Sequence, residues 1–372
     1  MSNEDTIRVA IGGQGRSGYN IHAKWLVQDP ARYRIVAVAD QLPERRRDAR
    51  REFGARAYDD WSRMITEADF DLFVNALPSP LHVPATLAAL RAGRHVLCEK
   101  PMAGTVRDFD RMVTAAKRHK RVLAPFQNNR HQPFFEKMQE IITSGVLGKI
   151  VNIRSSWGEF SRRWDWQTWQ ENLGGGLFNA GPHAIDQALA LFGWSRTPKV
   201  FCRMDCNNAF GADGDDHCTV TLYDPRRRAP QIDIIISGYL AYPPAELYNV
   251  SGEFGGLTGG ETELKWRYFN PSQAPVQKMW NWSVDRKYPQ EDLPWEEQTW
   301  SLKEVKQGNA VGYTLQSFQC GSTVSYDNLY HVIRNRGRLL VTPAQVRKQI
   351  AVLEECHRQN RLPKVRQRQR DR

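Results

Sequence analysis

The stretch from Ile7 to Gly18 constrains this chain more than any other. A β-rich apolar run, Ile7–Ile11, passes straight into Gly12-Gly13-Gln14-Gly15-Arg16-Ser17-Gly18, and a helical pattern follows through Gln28. G-x-G-x-x-G at Gly13, Gly15 and Gly18 supplies, in turn, a tight turn, a backbone open to a ligand, and close helix–strand packing. Free amides and the positive dipole end of the following helix then suit a pyrophosphate. A second strand, Arg34–Ala39, ends at Asp40, 22 residues beyond Gly18. An acidic side chain there can accept hydrogen bonds from adenosine ribose hydroxyls. In a chain with 27 glycines the motif alone is weak. The strand before it, the helix after it and Asp40 give it weight.

The alternation continues. Leu72–Ala76, Val96–Cys98 and Val122–Phe126 read as short strands, separated by helical stretches at Pro84–Ala92 and Val106–His119. The second helix opens with Thr105-x-x-Asp108 and sets Val106, Phe109 and Val113 on one face. Short buried strands alternating with helices predict an α/β Rossmann domain over residues 1–126, its parallel sheet covered on both faces. After Gln127 the pattern changes. Helices at Pro133–Thr143 and Asn179–Phe192 flank a strand at Lys149–Ser156. Val200–Cys206, Cys218–Tyr223, Gln231–Ser237, Glu246–Glu253 and Thr262–Phe269 then follow as strands without helices between them. This predicts an α+β domain over 127–357 with an open, mostly antiparallel sheet. Pro271–Leu302 reads as irregular, and a last helix starts at Thr342-Pro343-Ala344-Gln345.

With 372 residues, 41% apolar and 25% charged, the chain can build two ordinary cores. No apolar run approaches the ~18–20 residues a membrane span needs, and the polar, acidic N-terminus lacks a signal-peptide pattern. A cytoplasmic location and no membrane partner are expected. Six cysteines at irregular spacing read as reduced thiols, with no metal site. The net charge of +11 is concentrated in a basic tail, 358–372, where seven basic residues face only Asp371. The body keeps about +5, too little for a nucleic-acid groove.

Chemistry-bearing residues gather at strand ends. Asn75-Ala-Leu-Pro-Ser-Pro-Leu-His82 and Cys98-Glu99-Lys100-Pro101 each follow a buried strand, where ligands of open α/β sheets bind. Farther on, Gly174-Gly175-Gly176 precedes Asn179, His183 and Asp186, whose i, i+4, i+7 spacing puts them on one helical face. The glycines would let a backbone come close to a ligand. Asp40 would repel a 2′-phosphate, favouring NAD over NADP. Arg45, Arg46 and Arg47 alternate with acidic neighbours and read as a salt-bridged helix face.

Together with Gln127-Asn128-Asn129-Arg130, Gly145–Gly148 and the Thr342-Pro343 helix start, these segments resemble the glucose–fructose oxidoreductase / inositol dehydrogenase / rhizopine-catabolism (Gfo/Idh/MocA) family over nearly the whole chain. The resemblance implies hydride transfer between NAD(P) and a hydroxyl carbon of a sugar, glycoside or cyclitol. It also implies a homodimer or homotetramer built through the C-terminal sheet. Lys100 would hold the reacting oxygen, and His183 would be the general base, with a pKa near neutrality. Cofactor contacts would come from Gly13, Gln14, Gly15, Arg16, Ser17, Gly18, Asp40, Ser79, Pro80, His82, Glu99, Lys100 and Gln127. Substrate contacts would come from Arg130, Trp157, Trp166, Asn179 and His183. One departure stands out: Asn179 occupies a position where the family usually carries Asp, counted as a third catalytic residue. Two other readings follow from relatives: a redox-assisted sugar lyase or epimerase that recycles NAD in the site, and a non-catalytic NAD-binding sugar sensor. Retention of Lys100 and His183 counts against the sensor.

Overall fold

The computed structural model describes residues 5–242, 246–282, 286, 288–302 and 313–365, with 313–318 described by backbone alone. Residues 366–372 of the expected basic tail, 358–372, lie outside the described residues. The glycine run follows strand β1 (Ile7–Gly12) and leads into a wide, π-type helical segment, Arg16–Ala23, which tightens into α1 (Lys24–Leu26). Then come β2 (Tyr33–Ala39), α2 (Pro43–Phe53), β3 (Arg56–Tyr58), α3 (Trp61–Glu67), β4 (Leu72–Asn75) and α4 (His82–Arg91). The half closes with β5 (His95–Cys98), α5 (Val106–Arg118) and β6 (Leu123–Pro125). All six strands pair in parallel, in the order β3-β2-β1-β4-β5-β6. The order reverses between β1 and β4, which opens a crevice beyond their C-terminal ends. Local chemistry sets the helix starts: the Asp60 carboxylate accepts from the amides of Ser62 and Arg63 at α3, and Thr105 caps α5.

The second half contains α6 (Pro133–Thr143), β7 (Ile150–Trp157), α7 (Gly176–Asn179), α8 (Gly181–Phe192), β8 (Lys199–Asp205), β9 (His217–Tyr223) and β10 (Gln231–Ser237). Four more strands follow: β11 (Tyr248–Gly252), β12 (Gly255–Gly259), β13 (Glu263–Phe269) and β14 (Trp295–Ser301). They form one sheet ordered β14-β13-β12-β11-β7-β10-β9-β8, antiparallel except for β7 against β10. The Rossmann-plus-open-sheet fold class is therefore the observed one. Three strands escaped the sequence reading: β3, only three residues long, and two in this sheet. β12 is glycine-rich, so it shows no period-two pattern. β14 lies in the stretch expected to be irregular; it is an edge strand reading Trp-Glu-Glu-Gln-Thr-Trp-Ser, in which only Trp300 is buried.

The expected single helix Asn179–Phe192 is two. Pro182 sits in the first turn of α8, where a residue without an amide proton is tolerated, and the chain turns at Ala180 between α7 and α8. Helices α6 and α8 cover one face of the second sheet, burying Phe134, Phe135, Ile185 and Leu189 against Val220, Ile232 and Ile234. Two last helices, α9 (Tyr313–Ile333) and α10 (Pro343–Gln359), return to the first half. Tyr326 and Leu329 join the core around β1 and β2, while Val346 and Ile350 join the opposite face. Farther along α10, Leu353 and Cys356 enter the second core, so this one helix belongs to both. It begins with the full Thr342–Gln345 capping box. All six cysteines are free thiols.

Candidate active site

A cleft of about 540 Å³ runs from the glycine turn, past the ends of β4 and β5, to the start of α8. Its glycine end is shaped by exclusion of side chains. Gly13 has φ 88°, and a Cβ there would sit 2.4 Å from the Ala76 carbonyl oxygen. A Cβ on Gly18 would lie 1.8 Å from the Gly13 oxygen, so these two glycines serve packing. Gly15 is different: a Cβ would meet only the Arg45 guanidinium, at 3.6 Å, and the backbone is open to the cleft. Arg16 and Ser17, in the first helical turn, line the same space. Asp40 closes this end, its carboxylate accepting from the amides of Gln14 at 2.7 Å and Leu42 at 2.9 Å, with Arg45 at 3.4 Å. An open backbone at Gly15 beside a fixed carboxylate fits a dinucleotide's pyrophosphate and ribose.

Two loops at the strand ends are tied together by His82. Its ring nitrogens lie 2.7 Å from the Pro101 carbonyl and 2.8 Å from the Leu77 carbonyl. Its main task is thus to hold the Pro78–Leu81 turn against the Lys100–Pro101 turn, whose peptide bond is cis. Ser79 faces the cleft with Pro78 and Leu81, whereas Pro80 is exposed on the outside of the turn and takes no part in the lining. Glu99 also turns inward. One carboxylate oxygen lies 3.1 Å from His22, whose other ring nitrogen meets the Tyr326 hydroxyl at 2.7 Å. Burial works to raise the Glu99 carboxyl, but the His22 hydrogen bond and the charges of His22 and Lys100 outweigh it and hold the pKa at about 2.

Lys100 leaves β5 and reaches across to the second half, donating to the Asn179 main-chain carbonyl at 2.9 Å. Burial lowers its pKa, partly opposed by Glu99 and reinforced by Arg16 and Arg163. Asn179, at the end of α7, and His183, in the first turn of α8, line the cleft beside it. The His183 Nδ1 lies 3.1 Å from the Gln127 side-chain oxygen. Enclosure and the nearby Lys100 charge pull the imidazole down to about 3, far from the near-neutral value expected. Asn179 stands before the break at Ala180 and His183 and Asp186 after it, on α8, yet Asp186 does not line the cleft. It faces inward, where Arg130 donates to it at 2.7 Å and lies 4.6 Å from the Trp194 ring.

Several expected ligand contacts are therefore reassigned. Arg130 is buried in this ion pair and does not face the cleft. Trp157 packs against the second core, its indole N–H donated to Ser155 at 2.6 Å. Trp166, by contrast, lines the cleft with Gln167. Gln14 contributes its backbone to Asp40, and Gln127 is buried behind His183. The three glycines at 174–176 approach protein rather than ligand: Cβ atoms would strike the Gln167 oxygen at 2.4 Å from Gly174 and the Asp215 carboxylate at 2.0 Å from Gly175. Asp215 clasps that run through its own carbonyl, which accepts from Gly176, and its carboxylate, which accepts from Leu177, both at 2.7 Å. Asp215, Phe126 and Tyr326 had no sequence signal. A lone Asp in a loop, a Phe just past β6 that lines the cleft and a Tyr in a helix gain meaning only from their neighbours in space.

Comparison with known proteins bears on both halves of the chain. A family model described as "Oxidoreductase family, NAD-binding Rossmann fold" matches residues 7–127, and the GFO/IDH/MocA C-terminal domain matches 135–258. The chain is 31% identical over 271 residues to the scyllo-inositol 2-dehydrogenase (NADP(+)) of Bacillus subtilis, covering 70% of this chain and 72% of that one. It is 30% identical over 234 residues to the D-glucoside 3-dehydrogenase of Escherichia coli, covering 59% and 64%. Matches to two Schizosaccharomyces pombe oxidoreductases span only 52% and 55% of those proteins. Among solved structures, the WlbA dehydrogenase of Bordetella pertussis, in complex with NADH and UDP-GlcNAcA, superposes with a TM-score of 0.74 at 22% identity, covering 96% of each chain. The chain belongs to the Gfo/Idh/MocA oxidoreductase family and carries that family's NAD-binding Rossmann domain.

Proposed function

We propose that the protein transfers a hydride between NAD and a hydroxyl-bearing carbon of a sugar, glycoside or cyclitol. The observation that carries this reading is the meeting of Lys100 and His183, from distant parts of the chain, in one cleft continuous with the glycine turn. Bound at Gly15, Arg16, Ser17 and Asp40, the nicotinamide cofactor supplies the hydride acceptor. The chain's own groups handle the oxygen and its proton. Lys100, anchored on the Asn179 carbonyl, has ammonium protons left to donate to the reacting oxygen, stabilising the negative charge that develops there. His183 takes the hydroxyl proton as the carbon gives up its hydride, and returns it in the reverse direction. Trp166 and Asn179 offer an apolar ring and an amide to the rest of the substrate, the usual means of holding a polyol.

Asp40 supports NAD over NADP: its carboxylate stands at the ribose end, and the two guanidinium groups beside it are engaged, Arg45 with that carboxylate and Arg46 with the main-chain carbonyls of Asp40 and Gln41. The same reading places the enzyme in the cytoplasm as a homodimer or homotetramer. Phe201, Tyr223 and Trp295 stand exposed on the face of the second sheet turned away from its helices, a surface suited to a second copy. Size-exclusion chromatography with light scattering checks that assembly. The functional test is a screen of sugars, sugar acids, glycosides and inositols with NAD and NADP, read by nicotinamide absorbance. Turnover with NAD on at least one polyol is expected. Inactivity on all of them overturns the reading, and product without net NADH moves it to redox-assisted lyase or epimerase chemistry.

A further inference from the structure

A general base on an imidazole needs its ring held in one tautomer, because only the nitrogen without a proton can accept one. The family resemblance implies a carboxylate four residues before the histidine. Here that position is Asn179, whose main-chain oxygen is taken by Lys100. The partner that the His183 ring meets comes from elsewhere. Gln127 follows β6, is 3% exposed, and lies behind the ring. Its side-chain oxygen is 3.1 Å from Nδ1 of His183, and its amide nitrogen is 3.4 Å from the Pro182 carbonyl. That carbonyl can only accept, so the amide nitrogen must face it and the amide oxygen must face the ring. Gln349 of α10 donates to the same carbonyl, which fixes the arrangement further.

We propose that Gln127 is the positioning residue for His183: it holds the imidazole as the Nδ1–H tautomer, leaving Nε2 with a free lone pair toward the cleft, and it does so without charge. This rests on His183 being the base in the reaction proposed above. An amide orienter has a consequence that a carboxylate would not. A carboxylate stabilises imidazolium; an amide does not. The charged or titratable groups around the ring are Lys100 and Glu99 at the end of β5, His82 at the start of α4, and the Arg130–Asp186 pair one turn along α8. Glu99 is compensated by His22 and Lys100, and Asp186 by Arg130, so the Lys100 ammonium dominates the field at the ring. The imidazole therefore stays neutral from mildly acidic pH upward, and catalysis shows no acid limb near pH 7.

The tautomer can be read without turnover. In protein labelled with nitrogen-15 histidine, ring shifts of His183 are assigned by difference from His183→Ala. The expected wild-type state is Nδ1–H, unchanged down to about pH 5. Gln127→Leu removes the acceptor and should release the ring to a mixture of tautomers, lowering kcat at least tenfold with less effect on KM. Gln127→Glu should keep the tautomer but raise the imidazole pKa by a unit or more, creating an acid limb in kcat/KM. An Nε2–H ring in the wild type overturns the assignment. So does a Gln127→Leu protein that loses NADH affinity tenfold while its tautomer is unchanged, which would make Gln127 a cofactor contact. The thermal melt of Gln127→Leu, expected to stay cooperative and near wild type, separates loss of orientation from loss of fold. Inactivity on every polyol with the Nδ1–H tautomer present defeats the function reading alone.

Discussion

At the residue scale, charge placement decides what each group can do. Lys100 lines the cleft together with His183, at a place where it can meet a developing alkoxide with a positive charge. Replacing it by Ala should lower kcat by roughly a hundredfold or more, with NADH affinity, measured by fluorescence titration, little changed. The pH profile follows from the directions of the two shifts. His183, held down at about 3, is already unprotonated through the neutral range, so activity should be flat from about pH 5 to 8. Lys100 is lowered by burial, so the alkaline decline should begin below the ordinary lysine value of 10.5. Asn179→Asp adds a carboxylate beside the ring and should move the acid limb upward toward neutrality. A kcat/KM profile for wild type and variant checks both statements.

At the element scale, the short helices α7 and α8 carry the second half's contribution, and loops hold them in place. Asp215 is pushed up to about 7 by burial, the amide of Leu177 only partly opposing this, and its second oxygen has no partner. Asp215→Ala leaves Leu177 without an acceptor and opens space against Gly175. We expect a loss of about 1–3 kcal/mol in chemical denaturation and a drop in kcat, because the turn before Asn179 loosens. The Arg130–Asp186 pair anchors α8 from below. Arg130→Met should cost roughly 3–5 kcal/mol, since it leaves a buried carboxylate without its cation. The double variant Arg130→Met/Asp186→Leu should recover most of that loss. A single variant as stable as wild type would mean that the pair contributes nothing.

At the scale of the whole molecule, buried neutral imidazoles set the acid limit. His183 is lowered to about 3, and His95 and His357 to about 4, each chiefly by burial. In the unfolded chain these rings protonate below about 6.5. Between those values the unfolded state binds more protons, so stability falls as pH falls from about 6.5 toward 4. Asp215, Asp186 and Glu261 work in the opposite direction, their carboxyls raised by burial and so favouring the folded state at low pH, whereas Glu99, Asp224 and Glu355, held at about 2, add to the loss toward acid. Melting temperature measured from pH 8 to pH 4 should therefore decline toward acid. Adding NAD at about a hundred times its dissociation constant should restore roughly 2.7 kcal/mol, because the cofactor binds the folded cleft.

Local chemistry was enough to read the Rossmann half. Strand runs, caps and the glycine motif act over a few residues, so Gly13, Gly15, Asp40, Lys100 and the Thr342 cap were visible in the chain itself. His183 was visible for the same reason, as part of a short recurring pattern. What pairs with what was not. The Gln127 amide reaches His183 across 56 residues, Arg130 reaches Asp186 across 56, and Tyr326 reaches His22 across 304. Spacing along a chain carries no information about such contacts, because they are set by how the two sheets and α10 pack. The same packing assigned the glycines at 174–176 to Asp215 rather than to a ligand, and made a neutral base of an imidazole expected to titrate near pH 7.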